Sequence, residues 1–112
     1  MSIEQTDLID IISIDRLTGE AILTMSDHLD WSDSATHLLL LQNKLNRYLA
    51  FVESGEIFQS YPKAQNRPIV FTIVFKFRPN EEGRAFLDKA RPIVESAGIT
   101  FQEKVSTGAP FN

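Results

Sequence analysis

The sequence predicts an α+β fold, a four-stranded sheet with two helices packed on one face, in the order β-β-α-β-α-β. Three observations carry that prediction. Two apolar stripes at helical spacing alternate with segments at strand spacing. Capping residues precede both stripes, and Gly55 and Gly98 follow them. Ile69 to Phe77 is apolar at almost every position, as a strand covered on both faces would be.

The elements follow in chain order. Leu8 to Ser13 reads as a strand, Asp15 to Glu20 as a turn of four or five loop residues, and Ala21 to Met25 as the second arm of a hairpin. Leu38, Leu41, Leu45, Tyr48, Leu49 and Val52 recur at three- and four-residue steps, which predicts a helix from about Asp33 to Ser54. Asp30 or Ser32 is positioned to cap it, and Gly55 suits a left-handed end. Residues 56–67 read as a long polar connection with aromatic residues embedded in it. In the strand Ile69 to Phe77, Ile69, Phe71, Ile73, Phe75 and Phe77 share one face and Val70, Thr72 and Val74 the other. Pro79 to Ala97 reads as a second helix capped by Asn80, with Phe86, Ala90, Ile93, Val94 and Ala97 buried. Pro92 is expected to kink or split that helix near Asp88. Ile99 to Val105 is the last strand. Residues 1–105 thus form one domain, and 106–112 a flexible tail.

Composition narrows the function classes. At 112 residues, the chain is long enough to bury a core without a metal or disulfide staple. It has no cysteine, which removes thiolate metal sites and thiol nucleophiles and suits a reducing cytoplasm. Eleven basic residues against fifteen acidic ones give a net charge of −4, and the basic residues are scattered. Nucleic-acid binding is therefore disfavoured, because phosphate neutralisation needs a basic stripe. The longest apolar run, Leu38 to Leu41, is far too short to span a bilayer, and Met1 to Asp7 lacks the apolar run of a signal peptide.

The most site-like segment joins the hairpin to the first helix. Asp27, His28, Asp30, Asp33 and His37 bring three aspartates, one of them at the helix start, and both histidines within eleven positions of one another, with the lone tryptophan, Trp31, among them. Such a set could hold a divalent metal open to water, or a His–Asp pair for proton transfer. Its spacing matches no recognised metal motif, and helix capping alone accounts for most of the aspartates. No glycine-rich phosphate loop or nucleophile elbow occurs, so no cofactor is indicated beyond that metal. Trp31, Phe58 and Tyr61 are the aromatic residues placed to meet a small ligand. Val70, Thr72 and Val74 would form an interface if both helices cover the opposite sheet face.

Several strings carry a resemblance. They are Ile14-Asp15 through Thr18-Gly19-Glu20, Ser26-Asp27-His28-Leu29-Asp30-Trp31 and His37-Leu38-Leu39-Leu40-Leu41-Gln42. Lys44-Leu45-Asn46, Tyr48-Leu49-Ala50-Phe51, Glu53-Ser54-Gly55 and Tyr61-Pro62 extend it. Together they resemble a small family of bacterial proteins of unknown function, over Leu8 to Val105, with Asp-His-Leu-Asp-Trp as the most specific string. The resemblance implies a bacterial, cytoplasmic origin and no catalytic residue. It also implies an unbroken second helix, from which Pro92 departs.

The expectation is then a non-enzymatic interaction or accessory protein, homodimeric or bound to another protein, acting through the apolar sheet face or residues 56–67. The alternative is a metal- or small-ligand-binding protein, a hydrolase included, using the Asp/His cluster. A third is an acidic immunity or inhibitor-like protein.

Overall fold

The computed structural model describes residues 3–106. Four strands, β1 (Ile11–Ile14), β2 (Ala21–Asp27), β3 (Ile69–Phe75) and β4 (Ile99–Val105), form one sheet in that order. β1 runs antiparallel to β2, while β2, β3 and β4 are mutually parallel. Parallel neighbours need a crossover, and the helices α1 (Ser34–Glu53) and α3 (Glu81–Ser96) supply the two. The α+β class and the element order are those expected. Residues 107–112 of the expected tail lie outside the described residues; Ser106 still extends the sheet, donating its N–H to the Phe75 carbonyl.

Both long helices lie over the same sheet face. The register aligns Asp27 with Phe75 and Val105, and Phe71 with Phe101. α1 meets that face through His37 on Asp27 and the Tyr48 ring edge-on to Phe71. α3 meets it through Arg84 and Arg91, which hold Glu103 on β4. Between them lies the core: Leu23, Met25, Phe71, Ile73 and Phe75 from the sheet, Leu41, Leu45 and Phe51 from α1, Leu87 and Val94 from α3. Among the described residues no helix is long and apolar enough to cross a membrane.

The differences from expectation are local and physical. β1 begins at Ile11 rather than Leu8, because the backbone before it is held by α1 side chains. β2 continues two residues further, to Asp27, and β3 ends at Phe75, leaving Phe77 exposed. The expected connection at 56–67 is partly helical: α2 (Glu56–Ser60) follows Gly55, whose φ of 82° reverses the chain after α1, and a 3-10 turn covers Pro62–Ala64. α3 runs unbroken past Pro92, which falls where the ring meets an exposed side of the helix. Its buried stripe is Gly83, Leu87, Ala90 and Val94, so Ile93 is 61% exposed instead of buried.

Val70, Thr72 and Val74 lie on the face opposite the helices. Val70 is fully buried, Thr72 only 4% exposed, and Val74 half-buried. These short side chains sit on a central strand, flanked in register by Ile22 and Thr100, by Thr24 and Gln102, and by Ser26 and Lys104. They offer little surface to a partner.

The buried stripe of α1 contains two polar residues, His37 and Lys44. Lys44 is 0% exposed, and its ammonium donates to the carbonyls of Gln5 and Leu8 at 2.7 Å and reaches the Asp10 carboxylate at 3.0 Å. Tyr48, one turn on, accepts from the Asp10 amide and donates to the Thr24 carbonyl at 3.2 Å. Burial pushes the Tyr48 phenol above its ordinary range, so it stays a donor. The segment before β1 is thus moored to α1 by charge-assisted hydrogen bonds rather than by strand pairing. Replacing Lys44 with Met strands a carboxylate and two carbonyls beside an apolar chain. The expected loss is about 3–5 kcal/mol in urea unfolding, with fast amide exchange confined to residues 5–10 in the folded fraction.

Candidate functional site

Strand alternation brings Asp27 to the last position of β2 on the helix-covered face, opposite Phe75. Asp33 caps α1, accepting from the Thr36 amide at 3.2 Å, and this cap sets the phase that turns His37 inward one turn later. His37 Nε2 meets Asp27 Oδ2 at 2.6 Å, and its Nδ1 lies 3.0 Å from the Asp30 carbonyl. Both side chains are buried, His37 at 2% and Asp27 at 1% exposure.

Trp31 closes the pair from above. Its ring stacks on His37 at 3.7 Å and 20°, and its Nε1 donates to the Phe77 carbonyl at 3.4 Å. Its far edge lies on Gly83 in the first turn of α3, so close that a Cβ there would fall 2.6 Å from Cη2. Asn80 caps α3 by accepting from the Gly83 amide at 2.8 Å. The same side chain donates to Ser34 Oγ at 2.8 Å, so the two helix starts are latched to each other.

The proton arrangement follows from donor chemistry. A carbonyl only accepts, so Nδ1 carries a proton and donates it to Asp30. Nε2 then either accepts from a protonated Asp27 or donates to a carboxylate. Burial raises the Asp27 carboxyl above its ordinary value, and the contact with His37 only partly offsets this. One proton is thus shared across the 2.6 Å contact between Asp27 and His37. The other Asp27 oxygen accepts from the Leu29 amide at 3.1 Å.

The five clustered residues divide. Asp27 and His37 meet; His28 does not join them. It is 54% exposed and faces Glu4 at 3.4 Å. Asp30 bonds the Ser32 hydroxyl and amide, which hold its carboxyl below the usual range. Asp33 is spent on the cap. Among the described residues no three histidine, cysteine or acidic side chains gather as a metal site would need, and of the five only Asp27 and His37 are in contact. Of the aromatic candidates, Trp31 covers His37, Phe58 is half-buried against the core, and Tyr61 is half-buried beside β1. They do not share a pocket. Gly83 and the Lys44–Asp10–Tyr48 group escaped the sequence reading, although a lysine on the apolar stripe with Leu41, Leu45 and Tyr48 was a signal for the second.

The fold and this closed pair define a small α+β protein whose enzyme-like residues are turned inward. The chain belongs to a family of unknown function, DUF6572, whose sequence profile matches residues 1–107. Neither a curated protein nor a solved structure matches it.

Asp27→Asn can keep both contacts, its amide donating to Nε2 and its carbonyl accepting from Leu29. It should change stability by no more than about 1 kcal/mol, whereas Asp27→Ala leaves a buried imidazole nitrogen unpaired and costs about 2–4 kcal/mol. The pH dependence has a definite sign. With the folded carboxyl raised above 3.8, native protein binds more protons than unfolded chain, so this contribution is complete at low pH and is lost as pH rises through the folded value. Thermal melts of wild type minus Asp27→Asn should therefore fall as pH is raised from about 4. Gly83→Ala tests the lid. Helix propensity alone favours Ala by about 1 kcal/mol, yet the clash with Trp31 should make the variant about 1–3 kcal/mol less stable and shift the emission of the lone tryptophan.

Proposed function

We propose that this chain is a small non-enzymatic accessory protein that works by binding another protein chain, a second copy of itself included. One observation carries the reading: both nitrogens of His37 are committed to Asp27 and Asp30 beneath Trp31. A general base needs a nitrogen that reaches substrate, and a metal needs a directed lone pair. Here neither faces solvent. What the surface does offer is apolar contact area, with Leu17 96% exposed at the hairpin tip and Leu8, Leu39 and Ile93 at least half exposed. The scattered basic residues favour protein over nucleic acid as partner, and the cysteine-free composition suits a cytoplasmic setting.

Ring-nitrogen NMR of His37 during titration with Mg²⁺, Ca²⁺ and Zn²⁺ tests this. The expected result is an unchanged His37 signal. A saturable shift that disappears in Asp27→Asn would replace the reading with a metal-binding one. Light scattering at high micromolar concentration decides self-association: a dimer supports the second copy, and a monomer removes it.

A further inference from the structure

The two edges of the sheet are treated differently. On β4 the bond from Ser106 N to Phe75 O shows that even-numbered residues pair with β3, so the Phe101 carbonyl points off the free edge. Arg91 occupies that carbonyl at 2.6 Å and also holds Glu103. Arg84 binds Glu103 through two further bonds, and the pair of guanidinium groups keeps this carboxyl below its usual range. A blocked, charged edge resists pairing with another strand.

β1 has no such protection. The bond from Asp15 N to Glu20 O fixes the odd-numbered residues as those paired with β2. The N–H and C=O groups of Ile12 and Ile14 therefore point outward. Among the described residues, no hydrogen bond from outside the hairpin reaches them. The strand reads Ile-Ile-Ser-Ile, with neither charge nor proline to deter a partner.

Beside this edge, on the helix side, lies a groove of about 450 Å³. Leu8, Ile9 and Ile12 form one wall, Phe51 of α1 and Tyr61 after α2 the other, and the Arg47–Glu56 ion pair at 3.1 Å crosses its rim. An open strand edge flanked by an aromatic-lined groove is the geometry of strand addition, in which backbone bonds supply affinity and the groove reads alternate side chains.

We propose that β1 and this groove bind an extended peptide segment of a partner protein as a fifth strand, with a large apolar side chain in the groove and a basic residue beside it. The charge balance selects the occupant. Asp7 and Glu56 at the groove outnumber Arg47, while Asp10 is neutralised by Lys44. A basic peptide complements that surplus. A second copy pairing through its own β1 would bring the same acidic residues against it, a repulsive arrangement. This inference rests on the interaction reading above and names its site.

A phage-displayed library of random linear peptides, selected on the full chain, supplies the probe. Selected peptides should carry apolar residues in alternation and a flanking lysine or arginine. On binding, they should shift amide signals at 9–14 and 47–61 and slow the exchange of the Ile12 and Ile14 amides. Ile12→Pro removes an outward N–H and no bond of the hairpin, so it should weaken binding at least tenfold. N-methylating the peptide amides that face β1 should do the same with the protein untouched, which keeps the test valid if the proline variant unfolds. Tight binding that survives both changes would overturn strand addition. Shifts confined to another surface, or self-association through β1 with no peptide selected, would overturn this site and leave the interaction reading standing. That reading fails separately, by the His37 metal response.

Discussion

Polar side chains buried beneath α1 must find partners inside the protein, because an unpaired one would cost several kcal/mol. That requirement organises the structure around the helix. Toward its start, His37 draws in the end of β2 through Asp27 and the following turn through the Asp30 carbonyl. Two turns later Lys44 gathers the carbonyls of residues 5 and 8 with Asp10. Segments on either side of the hairpin are thus placed by one helix. Among the described residues no buried side-chain nitrogen or oxygen is left without a partner. Apolar packing supplies most of the driving force, but it is non-directional, and these bonds select the one arrangement of loops that satisfies them.

The same logic explains why a His–Asp pair beneath a tryptophan is not by itself an active site. Catalytic pairs leave one nitrogen directed at a cavity; here the second nitrogen meets a backbone carbonyl and the ring face meets Trp31. The residues that suggest chemistry hold the junction of β2, α1 and α3 together. The proposed binding site lies where the structure is least complete, along the uncovered backbone of β1. In a small sheet an edge is either blocked or available, and this protein has one of each.

Much of the architecture was legible in the sequence, and the exceptions share a cause. Strict alternation made β3 and β4 plain, and the leucine spacing set the extent of α1 to within a residue or so. A periodicity reading treats a polar residue as a break, however. It therefore stopped β2 at Met25, before Ser26 and Asp27, and passed over His37 and Lys44, so that the α1 stripe kept Leu41, Leu45 and Tyr48 but took in Leu38, Leu49 and Val52 and left out Phe51. Gly83 has no side chain to register, so the α3 stripe held Ala90 and Val94 but took Phe86 in place of Leu87 and put Ile93 inside. α2 has five residues between Gly55 and Pro62, too few for any helical period to show. The cluster at 27–37 stands out by composition. That His28 would face away from His37 depends on Asp27 being in the strand, which places consecutive residues on opposite sides.

The mooring of residues 5–10 to Lys44 has a consequence for how the protein is made. During synthesis, residues 5–10 have no strand partner for their carbonyls and no ammonium to receive them until Lys44 and most of α1 have followed. β2 in turn waits for β3, more than forty residues downstream, before its second edge is covered. Residues 5–27 therefore settle late, exposing Ile-Ile-Ser-Ile and its neighbours until the later elements are in place. A nascent chain of this kind depends on the helix that follows it to become a folded surface at all.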